Sequence, residues 1–327
     1  MCAWAQSTTI KPCLAFQISP SYYLRVTADE RLLDIVRSTG RTTKPKPPPL
    51  PDPMAELVSR RLPRTARALL FDVYGTLFSS SSGDIALAAP DNRSAFQRAI
   101  ATVLPAGRAA RLAEPVMRDY RRLIDDDHRE SRESGNPHPE VDIRSVWRRI
   151  ASLHALPIRT EAMLDEVAAA YESIANPVWP MPGLSALLDT CSGRVSLGIV
   201  SNAQFYTPLL FPAFLGRSLQ ACGFNPNLIA MSYRHGIAKP DSRLFRAPLA
   251  YLSSRGIDSS RTVYIGNDIL NDVYAARKVG CMTVLFAGDA RSLRLREDDA
   301  RVHAIRPDSV ARSLGDLPMI VGLDTEA

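Results

Sequence analysis

Phe71-Asp72-Val73-Tyr74-Gly75-Thr76-Leu77 follows directly on the apolar run Ala68–Phe71 and puts a carboxylate where that run ends. A short apolar run without polar alternation is the pattern of a strand buried on both faces of a parallel sheet. Three more runs share it: Val195–Val200, Val263–Ile265 and Met282–Phe286. The first two also stop at polar residues, Ser201-Asn202 and Gly266-Asn267-Asp268. Lys239 lies in the loop Gly236-Ile237-Ala238-Lys239-Pro240-Asp241, which opens a helix. Helical segments intervene, and Asp272–Val279 has Gly280 where a C-terminal cap belongs. Strands alternating with helices predict an α/β fold with a doubly wound parallel sheet. In such sheets ligands gather at the carboxyl ends of the strands, which is where Asp72, Ser201 and Asp268 stand. Each alone reads as a helix cap; together they read as a site.

The interval between the first two runs is too long for a simple crossover, which needs about a dozen residues. It shows helical spacing instead, with Ile143, Val146, Trp147 and Ile150 on one face and Leu164, Val167, Ala168 and Tyr171 on another. The expected division is therefore a core of residues 66–82 and 178–327, with a helical domain, residues 83–177, inserted into it. Ser79–Gly83 is the expected hinge, and Pro177, Pro180 and Pro182 mark the return. Trp147 reads as core, and Arg118–Glu133 as a mostly solvated helix face.

Residues 1–65 read as a flexible extension. Lys44–Pro53 is proline-rich and favours an extended linker; Glu30–Val36 is the one stretch in it with a helical look. Lys11 and Pro12 interrupt any signal-peptide core. The 327 residues carry a net charge of +6, but residues 1–66 hold ten Lys/Arg against five Asp/Glu. The rest of the chain is close to neutral, so no nucleic-acid partner is expected. No apolar stretch approaches the ~20 residues of a membrane span, so no membrane partner is expected either. Cys2, Cys13, Cys191, Cys222 and Cys281 are scattered, as are the five histidines. That pattern argues for a reducing, cytoplasmic setting and against a disulfide framework or thiolate zinc site. Any metal would have oxygen ligands.

Taken in order, these segments resemble the four motifs of the haloacid dehalogenase-like (HAD) hydrolase superfamily. Phe71–Leu77 resembles the nucleophile motif and Val200-Ser201-Asn202 the second. Lys239-Pro240-Asp241 with Phe245 resembles the third, and Gly266–Asp272 the acidic fourth. The resemblance spans about residues 66–315 and implies a Rossmann-like core with an α-helical cap. It implies that Asp72 is the nucleophile, forming a covalent aspartyl intermediate. Thr76, Ser201 and Asn202 would bind the transferring group, and Lys239 would offset its charge. Asp72, Tyr74, Asp268 and Asn267 would surround a Mg²⁺ ion, with Asp272 orienting Lys239 or the metal's waters.

Two departures bear on substrate. The family's phosphatases carry a second Asp two residues after the nucleophile, to protonate the leaving alcohol. Here that position is Tyr74, as in the family's dehalogenases, where departing halide needs no proton. Those dehalogenases, however, lack an acid at the place of Asp268 and carry tyrosine where this chain has Phe245. The expected function is a Mg²⁺-dependent phosphatase acting on a small phosphorylated metabolite. The alternatives are a 2-haloacid dehalogenase-type hydrolase or a weakly active or inactive HAD-like protein that binds a ligand or a partner. Two further expectations concern local structure. Pro248 should kink or end the helix after Asp241. Ala287–Val302, with balanced charges, reads as surface.

Overall fold

The structure, a computed structural model, describes residues 30–38, 44–80 and 92–324. Its centre is a six-stranded sheet in the order β5-β4-β1-β6-β7-β8. The strands are β1 (Ala68–Phe71), β4 (Ser196–Ser201), β5 (Phe224–Met231), β6 (Thr262–Gly266), β7 (Met282–Phe286) and β8 (Ser309–Ala311). Every pairing is parallel, with β1 held between β4 and β6 so that Phe71 lies opposite Ile199 and Ile265. The expected doubly wound α/β sheet is present. Ala68, Leu69, Leu70 and Phe71 are fully buried, which is why their run shows no alternation.

A two-stranded antiparallel ribbon, β2 (Phe78–Ser80) and β3 (Val178–Pro180), leads out of the sheet and back. Ser79 and Ser80 are buried in it, so that part of the expected hinge is paired strand; the remainder lies outside the described residues. Between the two strands the described residues form four helices, α3 (Arg93–Ala101), α4 (Ala106–Glu133), α5 (Ile143–Leu153) and α6 (Glu161–Ala175). Asp142 caps α5 by accepting from the Arg144 N–H, and Thr160 caps α6 by accepting from Met163 N–H. Trp147 is core, as expected, in an aromatic cluster with Phe96, Tyr120 and Tyr171 whose ring centroids lie 4.4–6.0 Å apart.

The described pieces of residues 30–65 are packed on the body. Helix α1 (Glu30–Arg37) buries Leu32, Leu33 and Val36 against α6 and α8 (Leu210–Leu215). Helix α2 (Asp52–Ala55) buries Met54, and Val58 forms a bridge to Val310. Helix α7 (Leu184–Cys191) follows β3, and α9 (Ser232–His235) follows β5. After a 3-10 turn at Ser242–Phe245, α10 (Arg246–Ser254) begins, and Pro248 lies in its first turn. The helix does not end at Pro248, because a first-turn residue has no intrahelical N–H bond to lose. The chain continues through α11 (Ala275–Lys278) and ends its described part after α12 (Leu317–Ile320). No helix among the described residues is long and apolar enough to cross a membrane.

The helical insert is stitched over the strand ends. Asn136 Nδ2 donates to the Gly236 carbonyl at 2.8 Å, Glu140 N–H to the same carbonyl at 3.1 Å, and Ala238 N–H to the His138 carbonyl at 2.8 Å. Gln204, just past β4, donates to the Val141 carbonyl at 2.8 Å. The loop that carries Lys239 is therefore bonded directly to the segment between α4 and α5.

Candidate active site

Asp72 stands at the tip of β1, its N–H donating to the Ile265 carbonyl on β6. Its side chain is 12% exposed, while that of Lys239 is 2% exposed. The Lys239 ammonium donates to Asp72 Oδ1 at 2.8 Å, to Asp272 Oδ1 at 2.6 Å and to the Tyr264 hydroxyl at 2.8 Å. All three of its donors are thus satisfied. Burial works against the charge, but Asp272 and Asp72 outweigh it and hold the ammonium above its ordinary pKa. Burial also pushes Asp272 up, against the pull of Lys239. A buried ion pair of this kind costs desolvation and is kept for placement more than for stability.

Three expected site residues serve as supports. Asn202 Oδ1 accepts from the Lys239 N–H at 2.7 Å, and its Nδ2 donates to the Lys239 carbonyl at 3.3 Å. Ser201 Oγ is fully buried, with one long contact to the Asn202 carbonyl at 3.4 Å. Thr76 Oγ1 donates to Asn267 Oδ1 at 3.0 Å, tying the first strand-end loop to the last. Gly75, at φ +82°, lies so close to Asn267 and Ser292 that a methyl group would clash. Asp272 Oδ2 accepts from the Asp268 N–H at 2.9 Å, so a single carboxylate links Lys239 to the acidic loop.

Tyr74 is engaged with Thr207. Its hydroxyl lies 3.0 Å from Thr207 Oγ1 and is buried. It lines a cavity of about 20 Å³ with Glu172, Asn176 and Tyr206. Burial raises its pKa far out of the physiological range, and Glu172 adds to the shift. Burial likewise pushes Glu172 up to about 8, with Asn176 and Tyr206 pulling the other way.

The expected magnesium set was Asp72, Tyr74, Asn267 and Asp268. Asp268 Oδ1 accepts from the N–H groups of Leu270 and Asn271 at 2.9 and 3.1 Å. Its Oδ2 accepts from Asn271 Nδ2 at 3.2 Å and from Arg296 Nε and Nη2 at 3.1 and 2.6 Å. Five donors meet a carboxylate with about four lone-pair sites. Asn267 Oδ1 is taken by Thr76, and Asn267 Nδ2 donates to the Ser292 carbonyl at 2.6 Å. Mg²⁺ requires oxygen ligands at about 2.0–2.1 Å in octahedral array. In this arrangement the donor set does not fit it. Among the described residues no group of three or more His, Cys, Asp or Glu side chains gathers to hold a metal.

Arg296 belongs to Ala287–Val302, the stretch read from sequence as surface. In the structure Asp289 and Ser292 are buried, and Ser292 Oγ donates to the Gly75 carbonyl. Balanced charge along a segment does not show which charges turn inward. Tyr264 and Glu172 also went unread, since a tyrosine inside an apolar strand and a glutamate inside a helix look ordinary.

Residues 236–317 match the HAD-hydrolase-like family model. Over that stretch the chain is similar to haloacid dehalogenase-like hydrolases. The matched stretch holds Lys239, Asn267, Asp268, Asp272 and Arg296, while Asp72 joins them through the contact with Lys239. A ribulose-1,5-bisphosphate 5-phosphatase of Halopiger xanaduensis is 34% identical over 95 residues, covering 29% of this chain and 38% of the relative. The chain thus matches less than two fifths of that relative's length. Among solved structures, a 2-haloacid dehalogenase from Pseudomonas syringae pv. Tomato is 20% identical, with a TM-score of 0.49 over 79% of this chain and 98% of its own. A HAD phosphatase from Thermococcus onnurineus is 19% identical, with a TM-score of 0.43 over 78% and 98%.

Proposed function

We propose that this HAD-like hydrolase cleaves a small phosphorylated metabolite through a covalent intermediate on Asp72. It prefers substrates whose leaving group departs without a proton, such as acyl or aryl phosphates. The observation that carries the reading is the Lys239 ammonium at 2.8 Å from Asp72 Oδ1, inside a buried, fully bonded frame. In the first step an Asp72 oxygen attacks phosphorus and the bond to the leaving oxygen breaks, releasing an anion. In the second, water attacks phosphorus, the bond to the Asp72 oxygen breaks, phosphate leaves as H2PO4− carrying both of the water's protons, and the Asp72 carboxylate is restored. Lys239 offsets the charge that Asp72 and the phosphoryl group share. Asn202 and Asp272 hold Lys239 in place. The leaving-group preference follows from Tyr74, whose hydroxyl is engaged with Thr207 and whose pKa, raised by burial, makes it a poor proton donor to a leaving alkoxide.

The insert stitched over the strand ends supports a small substrate and a closing cap. Three buried, unbridged cysteines are in keeping with a reducing, cytoplasmic setting.

The test compares acetyl phosphate and p-nitrophenyl phosphate with glycerol phosphate, using Asp72→Asn as the control. The reading expects turnover of the first two to exceed that of the third by orders of magnitude, and none of it to survive in D72N. Equal rates across the three would overturn it. One observation favours a second reading, carbon–halogen hydrolysis: the residue two after Asp72 is Tyr74, engaged with Thr207 where an acid would protonate a leaving alcohol, and halide needs no proton. Chloride release from 2-chloropropionate by the wild type, lost in D72N, would put that reading first.

A further inference from the structure

Arg296 is held in place by much more than its ion pair. Its segment runs alongside the acidic loop: Arg294 N–H donates to the Asn267 carbonyl and Ile269 N–H to the Arg294 carbonyl, both at 2.9 Å. The Asn267 side chain bonds the Ser292 carbonyl, and Ser292 reaches the Gly75 carbonyl. Two residues beyond this ladder, Arg296 adopts φ +53°, a left-handed conformation that costs a non-glycine residue about 1–2 kcal/mol. That turn delivers the guanidinium to Asp268 Oδ2 through two bonds, with the arginine side chain 33% and the aspartate 8% exposed. A strained residue with a specific charged contact points to a function for the contact.

We propose that Arg296 supplies the positive charge at Asp268 that a divalent ion would otherwise supply, so that the Asp72 site works without a bound metal. Asp268 and Asp72 both belong to the strand-end cluster, and an anionic substrate would add a further negative charge. Some cation must balance them. A guanidinium making two bonds to one carboxylate oxygen does so without the octahedral shell that Mg²⁺ demands. Arg296 is then a positioning residue, acting through Asp268 and not on the substrate itself. The inference rests on the hydrolase reading for its purpose, but metal binding tests it without any substrate.

The experiment is a titration of the full chain with Mn²⁺, the free ion being followed by electron paramagnetic resonance. Wild type, Arg296→Gln, Arg296→Lys, Asp268→Asn and the double variant D268N/R296Q are compared. The expected result is no Mn²⁺ uptake by the wild type or R296K below about 1 mM, and a gain of about tenfold or more in affinity for R296Q. The double variant should lose that gain. Wild-type uptake of one Mn²⁺ at micromolar concentration that is lost in D268N would overturn the proposal, as would an R296Q protein with no gain. Should R296Q fail to fold, wild type and R296K decide alone: tight Asp268-dependent uptake by either contradicts the proposal, and its absence from both supports it. A failed phosphatase assay would leave this result intact, so the two claims fail separately.

Discussion

Asn202 grips the backbone of Lys239 with both ends of its amide, its Oδ1 accepting from the N–H at 2.7 Å and its Nδ2 donating to the carbonyl at 3.3 Å. The side chain of Lys239 is fixed separately by two carboxylates and a phenol. Main chain and side chain of one residue are thus clamped from opposite sides, and the ammonium has little freedom to leave Asp72.

Replacing Asn202 by Ala leaves the peptide of the buried Lys239 without its partner. Stability should fall by about 1–3 kcal/mol, and kcat by roughly tenfold to a hundredfold through misplacement of the ammonium. Denaturant melts and steady-state kinetics on p-nitrophenyl phosphate check both. An unchanged kcat would show that the clamp does not set the geometry.

Lys239→Met strands two carboxylates in a buried pocket. Removing one partner of such a pair costs about 3–5 kcal/mol. Asp272 already has its folded-state pKa raised by burial, and without Lys239 that pKa rises further. A raised acid retains its proton in the folded state after the unfolded chain has lost it, so stability falls as pH rises through that interval. The deficit of the variant against wild type should therefore shrink on going from neutral pH toward pH 5. A deficit independent of pH would contradict the role given to Asp272.

Glu172 offers the cleanest pH signature, because burial pushes it up to about 8 and it lies outside the Lys239 cluster. Between about 4.3 in the unfolded chain and that value, its contribution should decline by about 1.4 kcal/mol per pH unit. Glu172→Gln, which keeps the shape, should be more stable than wild type at pH 8 and nearly equal to it at pH 4.5. Thermal melts at the two pH values measure this, and equal differences at both would contradict it.

How much of this was legible in the sequence depends on where a residue sits. The four strands read from apolar runs, β1, β4, β6 and β7, are the interior of the sheet, where both faces are buried. The two that went unread are its edges. In β5 the run is broken by Asn225, Pro226 and Asn227, which an edge strand tolerates, and β8 is only three residues long. In the site, Asp72, Lys239 and Asp272 were legible because strand ends and motif spacing announce them. The work of Asn202 on the Lys239 backbone and the approach of Arg296 to Asp268 were not, since both depend on loops meeting across 28 or more residues.

Gly266 shows how little slack the acidic loop has. A methyl group there would run into the Asp272 carboxylate. Gly266→Ala should cost about 1–3 kcal/mol from overpacking and shift Asp272 off Lys239. The Arg296–Asp268 pair should survive, so activity should fall while Mn²⁺ uptake stays as in wild type. Full activity in G266A would mean that the contact between Asp272 and Lys239 is dispensable.

The most direct test of the central claim is the mass of the peptide containing Asp72 after rapid acid quench during turnover of acetyl phosphate. The account predicts a phosphoryl group on that peptide, located to Asp72 by fragmentation and absent from D72N. Steady turnover with Asp72 unmodified at every quench time, and activity surviving in D72N, would contradict it.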